Sequence, residues 1–425
     1  MRKISKLSLV AAVAVAGFST ANAQPLEEAI KNVETSGSVV YRYDNSQNDV
    51  ATSNQSRDTN SYKIGLNLSS KVNDYVKFNS RFLVANQNGG FADASSVLYG
   101  TTTNGNSNGL DAKDGFDANP DVTLSHANFA FTGIQNTTIT AGKQGLATPW
   151  TVAIDSDGNE QTGTGILALS TVGPVTAAAG FFNQTNLDKS GNINSSRSIS
   201  VGNISGSALT DNRNMGSRDI YVGALLADFS PVKLEAWYLD MADTFDTYTL
   251  VAKADFKPST DSKIGVEARY VSLTLDNRQN LNIEDDNAMY RLQVTGNVGI
   301  VNAKVSYTGT DKDGGLTALD QDAENATLGW NLTSNGVSNA DHWQGVLGVN
   351  ILDNLNLSAN YGTLKAKDFL TDGQAFKAKE LYGQLTYKMS KNLSTYLRYG
   401  NFEEKDGSTK LRDQDAGRLQ VEYTF

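Results

Sequence analysis

Cysteine is absent from the 425 residues, so no disulfide framework holds this chain. Stability has to come from size or from a closed architecture. Histidine occurs only twice, as His126 and His342. Ser125 and His126 are neighbours in an alternating segment, which would send their side chains to opposite faces, and His342 stands alone beside Trp343. Activated nucleophiles and paired acids are therefore in short supply, and an enzyme is not expected. Proline is scarce, at six residues. Pro174, Pro231 and Pro258 fall in short turns or at strand starts, and Pro120 and Pro149 in long polar stretches, so none interrupts a strand interior. Long apolar runs are also missing. The longest, Leu7 to Phe18, falls short of the ~20 residues that a membrane-spanning helix needs.

Arg2, Lys3 and Lys6 precede that run and Ala21-Asn22-Ala23 follows it, which is the pattern of a signal peptide over residues 1–23. Residues 24–425 would then be the mature, exported chain. Loss of the three basic residues takes the formal charge from −10 to −13, a balance that disfavours a nucleic-acid partner.

What the chain has is alternation. In Tyr75 to Ala85, Val76, Phe78, Phe82 and Val84 alternate with Lys77, Asn79 and Arg81. In Ser262 to Val271, Ile264, Val266, Ala268 and Tyr270 alternate with Lys263, Glu267 and Arg269. About eighteen such segments of some ten residues can be found, each long enough at ~3.3 Å per residue to cross a membrane when tilted. The first begins near Val33, the second near Ser61 and the last near Ala416. WNLTSNGVSNAD (Trp330 to Asp341) fits either a further strand or a loop. Connections alternate between short turns such as Lys71 to Asp74 and long polar stretches such as Asn86 to Val122 and Gln184 to Ser217. The pattern predicts an all-β, transmembrane antiparallel β-barrel with short periplasmic turns and long extracellular loops, integral to a bacterial outer membrane. A secreted β-sandwich or β-solenoid would also alternate. Regular strand length, aromatic residues near strand ends (Tyr41, Tyr62, Tyr270, Tyr290, Tyr361, Tyr399) and the terminal Phe425 favour the barrel.

Parity assigns the lumen. Arg42, Lys63, Lys77, Arg81, Lys253, Arg269, Arg291, Lys304, Arg398 and Arg418 lie opposite the apolar face, with fewer acids (Glu235, Asp255, Glu267, Glu380, Glu422). Leu419, Val421, Tyr423 and Phe425 alternate up to the last residue, as in the signal by which an assembly machinery captures a closing strand through edge pairing. Lumen positions that are small or charged predict a water-filled channel passing ions and small hydrophilic solutes. The alternative is a surface adhesin or structural barrel acting through its long loops.

Pro25 to Asp44 (PLEEAIKNVETSGSVVYRYD), Ala141 to Thr151 (AGKQGLATPWT) and Gly163 to Ile166 (GTGI) resemble the major outer membrane porin of Campylobacter and its relatives. The resemblance implies an eighteen-stranded barrel assembling as a homotrimer among outer-membrane lipids, with solutes diffusing through each barrel. It also implies that residues 146–162 fold into the lumen as a constriction, where Trp150 would anchor the loop and Asp155, Asp157 and Glu160 would face the solute path. No cofactor is required. Relatives bind calcium near the constriction through loop carboxylates, and their acidic residue after the Trp-Thr pair is Val152 here, so the resemblance leaves Asp155, Asp157 and Glu160 as candidate ligands. The segment containing them, DSDGNE, departs from a helix–loop–helix calcium loop because Ile166 stands where a bidentate Glu is needed. As a plain segment it is a solvated turn. GTGILA fits a dinucleotide pattern, but without a following helix it is a Gly-rich strand. A basic wall facing an acidic loop would set a transverse field, and the net negative charge inclines the pore to weak cation preference.

Overall fold

The computed structural model describes residues 32–50, 55–85, 91–93, 121–187, 215–276 and 285–425. The expected leader and most of the long loops at 86–122 and 184–217 lie outside the described residues.

Nineteen strands follow one another: β1 (Glu34–Asn48), β2 (Gln55–Lys71), β3 (Val76–Ala85), β4 (Ala92–Asp93), β5 (Asp121–Ile134), β6 (Thr137–Gly145), β7 (Thr162–Val172), β8 (Val175–Thr185), β9 (Ile220–Phe229), β10 (Val232–Met241), β11 (Phe245–Ser259), β12 (Ser262–Leu275), β13 (Asp286–Val298), β14 (Val301–Thr310), β15 (Ala340–Leu352), β16 (Leu355–Lys367), β17 (Ala375–Lys388), β18 (Leu393–Asp406) and β19 (Thr409–Thr424). Eighteen form the wall. β4 is a two-residue appendage on β2, and β3 pairs past it with β5. Every wall strand is antiparallel to its neighbours, and β19 returns to β1 in a ladder from Ser38↔Thr424 to Asn48↔Gln414. Closure leaves the wall without an open edge, the liability that aggregates open sheets. Phe425 continues the seam, exchanging backbone hydrogen bonds with Gly37 at 2.9 and 3.1 Å. A Cβ on Gly37 would lie 2.7 Å from the Phe425 ring, so glycine is what lets that ring approach.

The period of two sorts the faces. Leu225, Leu292, Leu347 and Leu381 stand exposed on the outside, where lipid replaces water. Aromatic side chains near the strand ends form a belt, with Tyr290, Tyr307 and Trp343 in contact across three strands at centroid distances of 5.8 and 4.9 Å. Leu419, Tyr423 and Phe425 share the outward face, and the rings of the last two stack.

The structure departs from the sequence expectation at four places and resolves an open alternative at a fifth. β2 begins at Gln55 rather than near Ser61, and β19 at Thr409 rather than near Ala416. Beyond the lipid both faces meet water, so alternation fades while the backbone ladder continues. Trp330–Asn339 is loop, and only the last two residues of the ambiguous stretch enter β15. Pro258 lies inside β11, tolerated because the pairing to β12 slips there, between Phe256 and Ser259. Ser125 and His126 do not diverge as adjacent strand residues should. A register shift opposite Arg81 and Phe82 makes Ser125 a bulge. The Ser125 hydroxyl reaches Glu160 in the lumen, and His126 also turns toward the interior, close to Gly145.

Candidate functional site

Leu146 to Gln161 connects β6 to β7 and turns into the barrel. Its neck is closed by Leu146 N–H to Gln161 O (2.8 Å), by the Thr151 hydroxyl to Leu146 O (2.7 Å) and by Val152 N–H to the Gln161 side chain (2.8 Å). Trp150 is 0% exposed. Its ring lies edge-on to Trp237 at 6.5 Å in a cluster with Phe182, Leu239, Met241 and Phe245, and its indole N–H donates to the Thr247 hydroxyl at 2.9 Å. The amphipathic indole thus buries its apolar body and still satisfies its one donor.

The tip is a compact turn. Asp155 accepts from the backbone N–H of Asn159 (2.7 Å) and from its side-chain amide (2.9 Å), while Gly158 N–H returns to Asp155 O (3.0 Å). Gly158 has φ +77° and its Cα lies against Phe91, where a Cβ would sit 2.8 Å from the ring. Glycine is required on both counts. The Gly158 carbonyl accepts from Lys63.

The three carboxylates expected to face the solute path have three different environments. Glu160 is buried in the basic wall, with Lys63 Nζ at 2.8 Å, Arg81 Nη2 at 2.8 Å and the Ser125 hydroxyl on its other oxygen. Burial pushes its carboxyl up, but Arg81 and Lys63 outweigh burial and hold it below its ordinary value. Asp157 has a 60% exposed side chain, 3.2 Å from Arg42 and 3.6 Å from Arg418. Asp155 is buried beside two carboxylates from a distant segment, Asp320 and Asp322, with oxygens of all three within 4.8 Å of one another. Burial raises its carboxyl to about 6; the Asn159 hydrogen bonds act against this, and the charges of Asp157 and Asp322 add to it.

That distant segment is a second inward connection, residues 311–339 between β14 and β15, which the sequence did not mark as turning inward. It meets the first directly: Leu319 N–H donates to Trp150 O (2.8 Å), Asn325 N–H to Pro149 O (2.9 Å) and Ser156 N–H to the Asp322 carboxylate (2.9 Å). The wall grips it mostly by its backbone. Arg291 donates to Ala326 O (2.9 Å), Gln344 to Leu328 O (2.8 Å), and the Glu380 carboxylate accepts from the N–H groups of Trp330, Asn331 and Leu332. Arg269 reaches Asn325 (2.9 Å) and Glu324. A usable signal was present: Leu316, Leu319, Leu328, Leu332 and Val337 are too apolar for a solvated loop, and most are buried.

Most of the ten basic residues that parity sets opposite the apolar face lie against the inward connections. Arg42, Lys63, Arg81 and Arg418 form one arc around the first connection. Arg269 and Arg291 stand directly opposite each other across β12 and β13, with Glu267 hydrogen-bonded to both. Arg398 lies among Trp330, Tyr382 and Tyr396, 4.9–5.4 Å from their ring centres. Lys304 lines a cavity of about 260 Å³ with Arg291, Gln293, Gln344, Asp322 and Glu324. Of the other basic residues, Lys253 joins Glu235 at 2.9 Å, and Lys77 sits at the turn end of β3 with Glu34.

A comparison with curated proteins finds no match. Solved structures do match in fold. OpdQ of Pseudomonas aeruginosa aligns with a TM-score of 0.68 at 15% identity, covering 94% of this chain and 99% of that one. OpdL of the same organism gives 0.70 at 14%, with 93% and 99% covered, and OccAB4 of Acinetobacter baumannii 0.67 at 14%, with 93% and 98%. The Campylobacter major outer membrane protein family matches residues 1–425, the whole chain. A closed eighteen-stranded wall, a charged lumen crossed by two inward connections and that family match agree, and the chain belongs to the Campylobacter major outer membrane protein family, integral barrels of the outer membrane that serve as diffusion porins.

Proposed function

We propose that the two inward connections together form the constriction of this porin and give it a weak preference for cations. The supporting observation is their mutual hydrogen bonding across the lumen, through Trp150 O, Pro149 O and Ser156 N–H. Bridged in this way, they narrow the path between a basic arc on β1, β2, β3 and β19 and acidic groups on the loops. Charges confined in such a gap act at lower effective dielectric than in bulk water. Asp157, exposed beside Arg42 and Arg418, is the carboxylate that meets passing ions. The family and fold are those of a non-enzymatic channel.

Calcium belongs to the proposal, held by Asp155, Asp320 and Asp322. Ca–O distances of ~2.3–2.6 Å put two oxygens on one ion up to ~5 Å apart, and oxygens within 4.8 Å fit that span. Asp157 and Glu160, the other expected ligands, are instead directed to arginine and lysine. Bound calcium would join the first connection to the second at their tips. Trimeric assembly and capture of β19 by the assembly machinery complete the reading, supported by the family resemblance and by the outward row Leu419, Val421, Tyr423 and Phe425.

Single-channel conductance and reversal potential in a planar bilayer test the constriction. Deleting Asp155 to Gln161 should raise conductance and reduce cation preference without loss of the barrel. Unchanged values would place the first connection outside the conduction path. For calcium, the melting temperature should rise with added Ca²⁺ and return with chelator, and Asp320→Asn with Asp322→Asn should abolish the rise.

A further inference from the structure

The chain is acidic, yet one face of it is not. At the extracellular ends of β16, β17 and β18, Lys365, Lys367, Lys377 and Lys379 are exposed and Lys405 half-buried. Their strand neighbours Leu364, Ala366, Phe376, Ala378 and Phe402 are buried on the inner side, so alternation turns the lysines outward, away from the pore. Pairing puts them in contact range of one another: Lys365 lies opposite Lys377, Lys377 opposite Lys405, and Lys405 opposite Lys410. Like charges directly opposite destabilise a sheet. The acids available are few. Glu403 takes Lys405 (2.7 Å) and Lys379 (3.4 Å), and Asp413 takes Lys410 (2.7 Å). Asp341 lies opposite Lys365 but accepts from the Tyr307 hydroxyl. The ammonium groups of Lys365, Lys367 and Lys377 make no ion pair or hydrogen bond among the described residues.

Position supplies the rest. On the same outward face, toward the middle of the wall, stand Tyr361, Leu381 and Tyr399, the last 63% exposed. Lys365 follows Tyr361 by four residues, ~13 Å along the strand, which is where headgroups begin.

We propose that this outward lysine cluster is a docking site for phosphorylated headgroups of the outer-leaflet lipid. Acyl chains would lie along Leu381, Leu385 and Leu397, with the phosphates bridging Lys365, Lys377 and Lys405 and relieving their repulsion. Clustered basic residues beside an apolar membrane face bind anionic headgroups by this combination.

The test titrates full-length protein in neutral detergent with fluorescent bis-phosphorylated lipid A, with its dephosphorylated form and inorganic phosphate as comparison arms. The parent should bind the phosphorylated probe at least tenfold more tightly than the dephosphorylated one. Lys365→Gln with Lys377→Gln and Lys405→Gln should weaken the phosphorylated probe about tenfold and leave the other unchanged, while the matching arginine variant retains binding. Unchanged single-channel conductance shows that the variant barrel is intact; if it is not, Lys377→Gln with Lys405→Gln is read by the same criterion. Equal binding by parent and glutamine variant overturns the proposal. So does displacement of the probe by inorganic phosphate at equal concentration, which would make this a site for free anions, and so does parent binding that ignores phosphorylation.

Discussion

The two inward connections occupy one lumen but differ in what makes their polar contacts. Residues 146–161 are secured by their own side chains: Trp150 in an apolar cluster, Glu160 in a cage of Lys63 and Arg81, Asp157 on Arg42. Residues 311–339 also bury Leu316, Leu319, Leu332 and Val337, but much of their polar hold is on backbone groups, which wall side chains from Arg291, Gln344 and Glu380 seize. The polar hold on the first therefore depends more on its own side chains, and that on the second more on wall side chains elsewhere in the chain. A substitution within a connection should matter for the first, and a substitution in the wall for the second.

The sharpest break is Trp150→Ala. Emptying a fully buried indole site costs ~3–5 kcal/mol and orphans the Thr247 contact. Conductance should rise severalfold and proteolysis between Leu146 and Gln161 should become rapid, with residues 328–335 still protected. Rapid cleavage of both segments would show that the second leans on the first.

Glu380→Gln is the converse. One carboxylate that accepts three amides becomes a neutral group with fewer acceptor sites, at ~1–3 kcal/mol. Hydrogen exchange at Trp330, Asn331 and Leu332 should accelerate at least tenfold, and exchange at Trp150 should not change. If both accelerate alike, the side-chain versus backbone distinction fails.

Acid should act on the first connection through Glu160. Its carboxyl is held below the ordinary value, so its contribution is complete above that value and is lost as pH falls through the lower, folded one. Exchange around Asn159 to Gln161 should increase severalfold on acidification below about pH 4. Glu160→Gln should abolish the pH step; a step that persists would trace to another group.

The smallest effect is Asp157→Asn. An ion pair with one partner 60% exposed contributes at most ~1 kcal/mol, so melting should barely move. Reversal potential in a salt gradient should nonetheless shift toward anions by a few millivolts or more. No shift would remove Asp157 from the ion path.

The wall was legible because alternation is a local property. Whether Arg269 or Tyr270 faces water is settled by their places in one strand. Trp150 was legible for a related reason, since a proline-preceded tryptophan in a polar stretch has to bury its ring somewhere. Parity failed at Ser125 and His126, where one unpaired residue in β5 re-aims its neighbours, and a bulge is visible only once the partner strand is known. The carboxylates are the deeper case. Asp155, Asp157 and Glu160 lie within six residues of one another, and the family resemblance, not their spacing, grouped them as one set. Their separation came from what the closed barrel brought to each: Asp320 and Asp322 from 165 or more positions away, Arg42 from β1, Lys63 and Arg81 from β2 and β3. Sequence by itself determined the strands, their two faces and the basic lining, because each rests on a period of two within ten residues. Tertiary structure decided which loops enter the lumen and which charge meets which, because those depend on closing β19 against β1 and so on distances that no local pattern encodes.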